Sequence, residues 1–238
     1  MLMKESSFAK HSPGMLWGVV VEEVVLFSWC EGSFSIHYEE GPKFSHELLN
    51  YWFLHTLLPV YFTCEKIYDF LHAGAVSFNG LPLLFTAPSF GGKSTMTDFF
   101  IKQGHPLLSD DKVAVYENGD DFWAVPSYPY HRPYRRMEDL GCFVDNFAEE
   151  PKPIHAIYEL VRTESDAPIE ITPLHGIDKF KSLRFVSEIN LPFRKPQRME
   201  FLGRLANTVP VYAVQIPWEP ERLGEVYEHI VTHVQRTQ

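Results

Sequence analysis

Residues 83–115, LLFTAPSFGGKSTMTDFFIKQGHPLLSDDKVAV, constrain this chain more than any other stretch. The apolar run 83–86 reads as a strand and feeds a Gly-rich turn ending in Gly92-Lys93-Ser94. Met96, Phe99, Phe100 and Ile101 then recur at helical spacing as far as Gly104-His105, and a second apolar run meets the adjacent carboxylates Asp110 and Asp111. Strand, glycine turn, helix, strand and acidic pair in that order is the layout of a nucleotide site. Backbone N–H groups of such a turn converge on phosphate oxygens, and the helix N-terminus adds partial positive charge. The Lys93 ammonium is placed to reach β and γ oxygens, and the Ser94 hydroxyl to enter a magnesium shell. The loop, Ala87, Pro88, Ser89, Phe90, Gly91, Gly92, Lys93, Ser94 and Thr95, departs from G-x-x-x-x-G-K-[ST] at its first position, where Ala87 replaces Gly.

Around that stretch the chain reads as follows. Residues 1–14 are a polar tail, and 17–28 and 33–38 are β-rich runs on either side of Cys30-Glu31-Gly32. From 44 to 70 the apolar spacing is helical, with Ser45 as N-cap and a kink or split expected at Pro59. This aromatic-rich stretch is read as core. Asn79-Gly80, between apolar runs 72–78 and 81–86, is the strongest hairpin signal, and 112–116 and 122–125 flank a second turn at Asn118-Gly119-Asp120. Residues 126–136, PSYPYHRPYRR, are too rich in proline for regular structure and read as a loop near the site. Residues 137–155 read as helix or loop, and 156–162 and 169–172 as paired strands. Residues 175–189 and 196–207 read as helices, 209–216 as a late strand, and 219–234 as a final amphipathic helix.

Composition narrows the classes. A hydrophobic share of 45% with 22% charged residues is that of a globular protein able to bury a core. The net charge of −10 argues against general nucleic-acid or anionic-membrane binding, both of which need basic patches. Cys30, Cys64 and Cys142 form neither a disulfide framework nor a zinc motif, so reduced thiols are expected. With no signal-peptide core at the start and no membrane-length apolar run, the expected location is cytoplasmic.

Leu71-His72-Ala73-Gly74-Ala75-Val76, Asn79-Gly80, the loop, Gly104-His105 and Leu108-Ser109-Asp110-Asp111 follow one another as in HPr serine kinase/phosphorylases. The chain resembles in particular the short HPr-kinase-like proteins, some of which phosphorylate a serine on a ribosomally made peptide in lasso-peptide clusters. The resemblance is close over 71–115 and looser through Pro126-Ser127-Tyr128-Pro129 and Val209-Pro210-Val211-Tyr212. It implies an α/β P-loop core at 71–238, a mixed sheet flanked by helices, with a small N-terminal α+β portion at 1–70. It also implies transfer of the ATP γ-phosphate, with Mg2+, to a serine of a peptide or small protein, and it allows a homo-oligomer. The Gly-Ile-rich signature that follows the core in the bifunctional enzymes is not found, which weakens a phosphorylase reading.

The resemblance places a general base and a metal-contacting carboxylate at the acidic pair. Asp110 is favoured as base, and Asp111 as metal ligand beside Ser94 or as partner of His72, although adjacent residues on a strand face opposite ways unless they sit at its end. His72 matches a histidine near the family's active site, while His105 is read as packing. Arg132, with Arg135 and Arg136, is a candidate phosphate fork, or else a surface partner of Glu138 and Asp139. Arg194 and Arg204 invite the same thought with less support. Two rivals stay open: an accessory protein that binds without turnover, favoured by Ala87 and Phe90, and a small-molecule kinase on the same core.

Overall fold

Val25, Phe27 and Trp29 are buried at every second position, and that alternation makes the first sheet. The computed structural model describes residues 14–133 and 138–237. The chain divides into two units, Met1–Tyr68 with Arg135–Leu140, and Asp69–Tyr134 with Gly141–Gln238. In the first, β1 (Leu16–Val21), β2 (Val25–Cys30) and β3 (His37–Glu40) form an antiparallel meander. The β-rich run 17–28 is itself a hairpin. Exposed Glu22 and Glu23 interrupt the apolar pattern, and Glu23 turns the chain at a φ of 63°.

Ser45 caps α1 (His46–Trp52) by accepting a hydrogen bond from the Leu48 N–H at 3.2 Å. The helix passes through a π-turn, Phe53–Leu57, into α2 (Leu58–Cys64). Pro59 has no N–H to give the carbonyl four residues back, and the turn before it widens so that the Leu58 N–H reaches the Phe53 carbonyl. The expected helix to residue 70 is thus divided by the π-turn ahead of Pro59, and it stops at Cys64. Leu57, Val60 and Tyr61 are buried as the core reading required. Trp29 meets Tyr61 edge-on at 5.5 Å and donates from Nε1 to Glu65 at 3.0 Å.

The second unit carries the site. Its strands and helices, in order, are β4 (Asp69–Leu71), β5 (Gly74–Phe78), β6 (Leu81–Thr86), α3 (Lys93–Lys102), β7 (Leu107–Ser109), β8 (Val113–Asn118) and β9 (Asp121–Val125). Short strands β10 (Tyr130–His131), β11 (Cys142–Phe143) and β12 (Lys152–Pro153) follow. The chain ends with β13 (Ala156–Thr163), β14 (Ile171–Pro173), α4 (Gly176–Val186), α5 (Lys195–Thr208), β15 (Val211–Pro217) and α6 (Leu223–Thr237). Asn79 and Gly80, at φ of 49° and 82°, close the β5–β6 hairpin in the left-handed geometry that matches strand twist. The β8–β9 hairpin forms as expected.

A six-stranded mixed sheet has the order β14-β15-β13-β6-β5-β7, with β6, β13 and β15 mutually parallel. A four-stranded antiparallel sheet has the order β12-β9-β8-β4. Alternation along β6 serves two cores. Leu83 and Phe85 pack with Met96, Phe100, Val226 and Ile230 of α3 and α6, while Leu84 packs with Leu183, Leu202 and Leu205 of α4 and α5. The fold is thus mixed α/β, with helices on both faces of the larger sheet.

One expectation fails here. Residues 156–162 and 169–172 do not pair: β15, arriving some forty residues later, inserts between β13 and β14. A parallel neighbour buried on both faces outcompetes a short hairpin with a polar turn. Of the two readings of 137–155, helix or loop, the described part follows the loop, interrupted only by the short strands β11 and β12. Residues 1–13, expected as a tail, lie outside the described residues, as do Arg135 and Arg136.

Candidate functional site

The loop 87–92 joins the end of central β6 to the first turn of α3. Gly92 serves as N-cap with a φ of 93°, a left-handed angle that glycine takes without a Cβ clash. Ala87 is buried, Pro88 and Ser89 are exposed, and Phe90 projects with 91% of its surface exposed. The Gly91 N–H is tied to the Pro88 carbonyl at 2.8 Å. Lys93 opens the helix, followed by half-buried Ser94 and exposed Thr95.

Why α3 lies so close to the sheet is answered at Gly74. A Cβ there would stand 2.1 Å from Thr97 Oγ1, which itself donates to the Lys93 carbonyl at 3.0 Å. The first turn of α3 therefore rests on bare backbone of β5. Phe100 and Phe85, with ring centres 4.9 Å apart, fix the next turn.

The carboxylates arrive from the end of β7. Asp110 and Asp111 both belong to one site because the strand has ended: Asp111 sits at a φ of 69°. Ser109 Oγ donates to the Lys112 carbonyl at 2.8 Å and Tyr128 Oη to the Asp110 carbonyl at 3.2 Å, locking the turn. Asp111 Oδ1 lies 3.1 Å from Lys93 Nζ, with both side chains about nine-tenths buried. His72 Nδ1 is 3.4 Å from the same oxygen. A third carboxylate, Glu188, stands 3.4 Å from His72 Nδ1 and 3.4 Å from Lys112 Nζ.

Asp110 faces another set. Its Oδ2 accepts the Arg132 backbone N–H at 2.8 Å and lies 3.1 Å from His131 Nδ1. His131 Nε2 points back toward Asp98 of α3, at 3.8 Å. Burial alone would raise the Asp110 pKa; the His131 ring, the Arg132 N–H and the Lys93 charge outweigh it and hold the carboxyl below its ordinary value. Asp110 is therefore ionised at neutral pH, yet its Oδ1 is buried with no hydrogen-bond partner among the described residues. A buried carboxylate oxygen without a donor costs stability unless something supplies one.

The expected residues thus converge as two groups: Lys93, Asp111 and His72 in one, Asp110 with the Arg132 backbone in the other. The Arg132 side chain is itself buried. His105 packs among Phe78, Phe100 and Tyr227, and burial lowers its pKa. Arg204 pairs with Glu117 and Glu200 at the surface. Sequence reading missed His131 and Glu188. His131 stood inside the proline-rich stretch beside Arg132, and that proximity was its only signal. Glu188 lies about 75 residues from the acidic pair with no motif around it.

The donor set fits a nucleotide with a divalent cation. The loop offers backbone N–H groups at a helix N-terminus, Lys93 one cation, and Asp111 with Ser94 oxygen ligands. Among the described residues no three His, Cys, Asp or Glu side chains are grouped to hold a metal by themselves. No described helix is long and apolar enough to cross a membrane.

No family model matches the chain, and no curated protein sequence matches it. Among solved structures, the HPr(Ser) kinase/phosphatase from Coxiella burnetii is similar at a TM-score of 0.43 and 13% identity, covering 71% of this chain and 99% of that one. At that score and identity, the roles of individual residues rest on this chain's own geometry.

Proposed function

We propose that the chain is a cytoplasmic ATP-dependent kinase that transfers the γ-phosphoryl group to a serine hydroxyl of a peptide or small protein, its catalytic domain spanning 71–238. One observation carries the reading: an ionised, buried carboxylate with a donor-free oxygen, Asp110, on the same turn as the carboxylate that holds the loop lysine. The loop N–H groups and Lys93 hold the β- and γ-phosphates, and Lys93 leaves Asp111 to do so. Ser94 and Asp111 would hold Mg2+, which when bound neutralises phosphate charge. The serine Oγ–H donates to Asp110 Oδ1 and passes its proton there as the new O–P bond forms. The bond from the γ-phosphorus to the β–γ bridging oxygen breaks, releasing ADP. His131 and the Arg132 N–H fix the Asp110 carboxylate from its other oxygen. His72, with Glu188 beside its ring, steadies Asp111.

A second reading, binding without turnover, draws on exposed Phe90 at a φ of 61° in the phosphate loop. The test is Mg-dependent ATP binding and turnover by wild type, Lys93→Ala and Asp110→Asn, with serine-bearing peptides encoded beside the gene as acceptors and the same reaction without peptide. Phosphopeptide formed by wild type and abolished in both variants is the expected result. Binding lost in Lys93→Ala with no wild-type turnover establishes the second reading, and a phosphorylated metabolite without peptide establishes a small-molecule kinase.

A further inference from the structure

The parallel strands β6, β13 and β15 end on the same side of the sheet, the side where open α/β sheets receive ligands. The end of β6 becomes the phosphate loop. The end of β15 becomes Trp218, whose backbone N–H is tied to the Thr163 carbonyl at the end of β13 at 3.2 Å. Between them lies a cavity of about 190 Å³, walled by Gly92 and Thr95 on one side and by Ile216, Pro217, Trp218 and Leu223 on the other. Its walls are almost wholly apolar, and it is smaller than the roughly 300–1,000 Å³ of a complete ligand site. It has room for one flat ring system.

Trp218 is 52% exposed, unusual for the largest side chain in a protein. The Arg162 guanidinium stacks over the indole, 3.1 Å from its centroid, and a Cβ on Gly92 would stand 3.7 Å from the ring edge. The ring is thus held in place while half its surface stays open. Asp110, where the acceptor hydroxyl belongs, does not line the cavity.

We propose that this cavity takes the nucleobase of the nucleotide whose phosphates the loop holds, with Trp218 as its stacking surface. The inference rests on the nucleotide reading above. Gly92 and Thr95 flank the Lys93-Ser94 pair of the phosphate loop and also line the cavity, so a nucleotide whose phosphates lie on the loop has its base end within reach of it. A base has two apolar faces and needs just such a slot. The lining holds one charged side chain, Glu219, so stacking supplies most of the affinity and the site tolerates more than one purine.

The experiment is calorimetric binding of Mg-ATP and of Mg-tripolyphosphate to wild type, Trp218→Ala, Trp218→Phe and Lys93→Ala, each first shown to keep the wild-type circular dichroism and melting profile. Trp218→Ala is expected to weaken ATP roughly 5- to 150-fold, the range that stacking of one base on an aromatic ring supports, and to leave tripolyphosphate unchanged. Trp218→Phe restores most of the loss, and Lys93→Ala weakens both ligands. ATP binding by Trp218→Ala equal to wild type, with Lys93→Ala still weakening both, overturns the nucleobase site and leaves the nucleotide reading standing. Equal loss of both ligands in Trp218→Ala also overturns it, since the ring would then only brace the loop. Wild type binding neither ligand overturns both readings.

Discussion

At Asp110 two opposing influences meet, and one prevails. Burial disfavours its charge, while the His131 ring, the Arg132 N–H and the Lys93 ammonium together favour it more, so its pKa lies below the ordinary carboxylate value. A group whose folded pKa is depressed stabilises the fold above its unfolded pKa, about 3.9 for Asp, and that contribution is lost as pH falls through the lower folded value. As a general base, Asp110 is already deprotonated across the neutral range. The acid limb of kcat/KM is therefore expected below about pH 4. A limb between pH 6 and 7 in a pH–rate profile would take the base role away from Asp110. Asp110→Asn should lower kcat by roughly 10²- to 10⁴-fold while nucleotide binds no more weakly than to wild type. Stopped turnover with intact binding is the pattern to look for. Among the site residues, Lys93 and the acidic pair were legible in the sequence because a local motif places them. His131 and Glu188 were not, since neither carries a local signature of its role.

At the scale of elements, the contact between β5 and the first turn of α3 decides where the lysine stands. Gly74→Ala puts a methyl 2.1 Å from Thr97 Oγ1 and 3.2 Å from its Cβ. Thr97 is β-branched and stiff, so the helix start or the strand must give way. The expected cost is about 1–3 kcal/mol, read as a lower denaturant midpoint, with nucleotide affinity falling alongside because Lys93 moves. Adding Thr97→Ala should recover part of both, since it removes two of the three nearest atoms. A neutral Gly74→Ala would show that the helix can slide, and that the loop is not positioned by this contact. Glycine in the Leu71–Val76 motif carried the family resemblance as a letter; its physical meaning is the close approach of α3.

At the scale of the whole molecule, the larger sheet divides two cores, and α3 is pinned from the sheet side and from α6. Phe100 is fully buried between Phe85, at 4.9 Å, and Tyr227, at 4.8 Å. Phe100→Ala is expected to cost about 3–5 kcal/mol, a large share of the roughly 5–15 kcal/mol that holds a domain folded, and urea unfolding of the variant measures it. A loss under about 1 kcal/mol would mean that α6 collapses into the gap and that the core is less rigid than its packing implies. The sequence by itself determined what is set within a few residues. The Asn79-Gly80 turn, the Ser45 cap, the split of the helix ahead of Pro59, the loop running into α3 and the helices α4, α5 and α6 all follow from dihedral preference, capping and apolar period. Tertiary structure alone decided that β15 separates β13 from β14. It also decided that His131 joins Asp110, that Glu188 joins His72 and Lys112, and that Trp218 stands beside Gly92. These are contacts between segments tens of residues apart, and their choice depends on which strands share a sheet and which faces are buried, a competition that no local window of sequence contains.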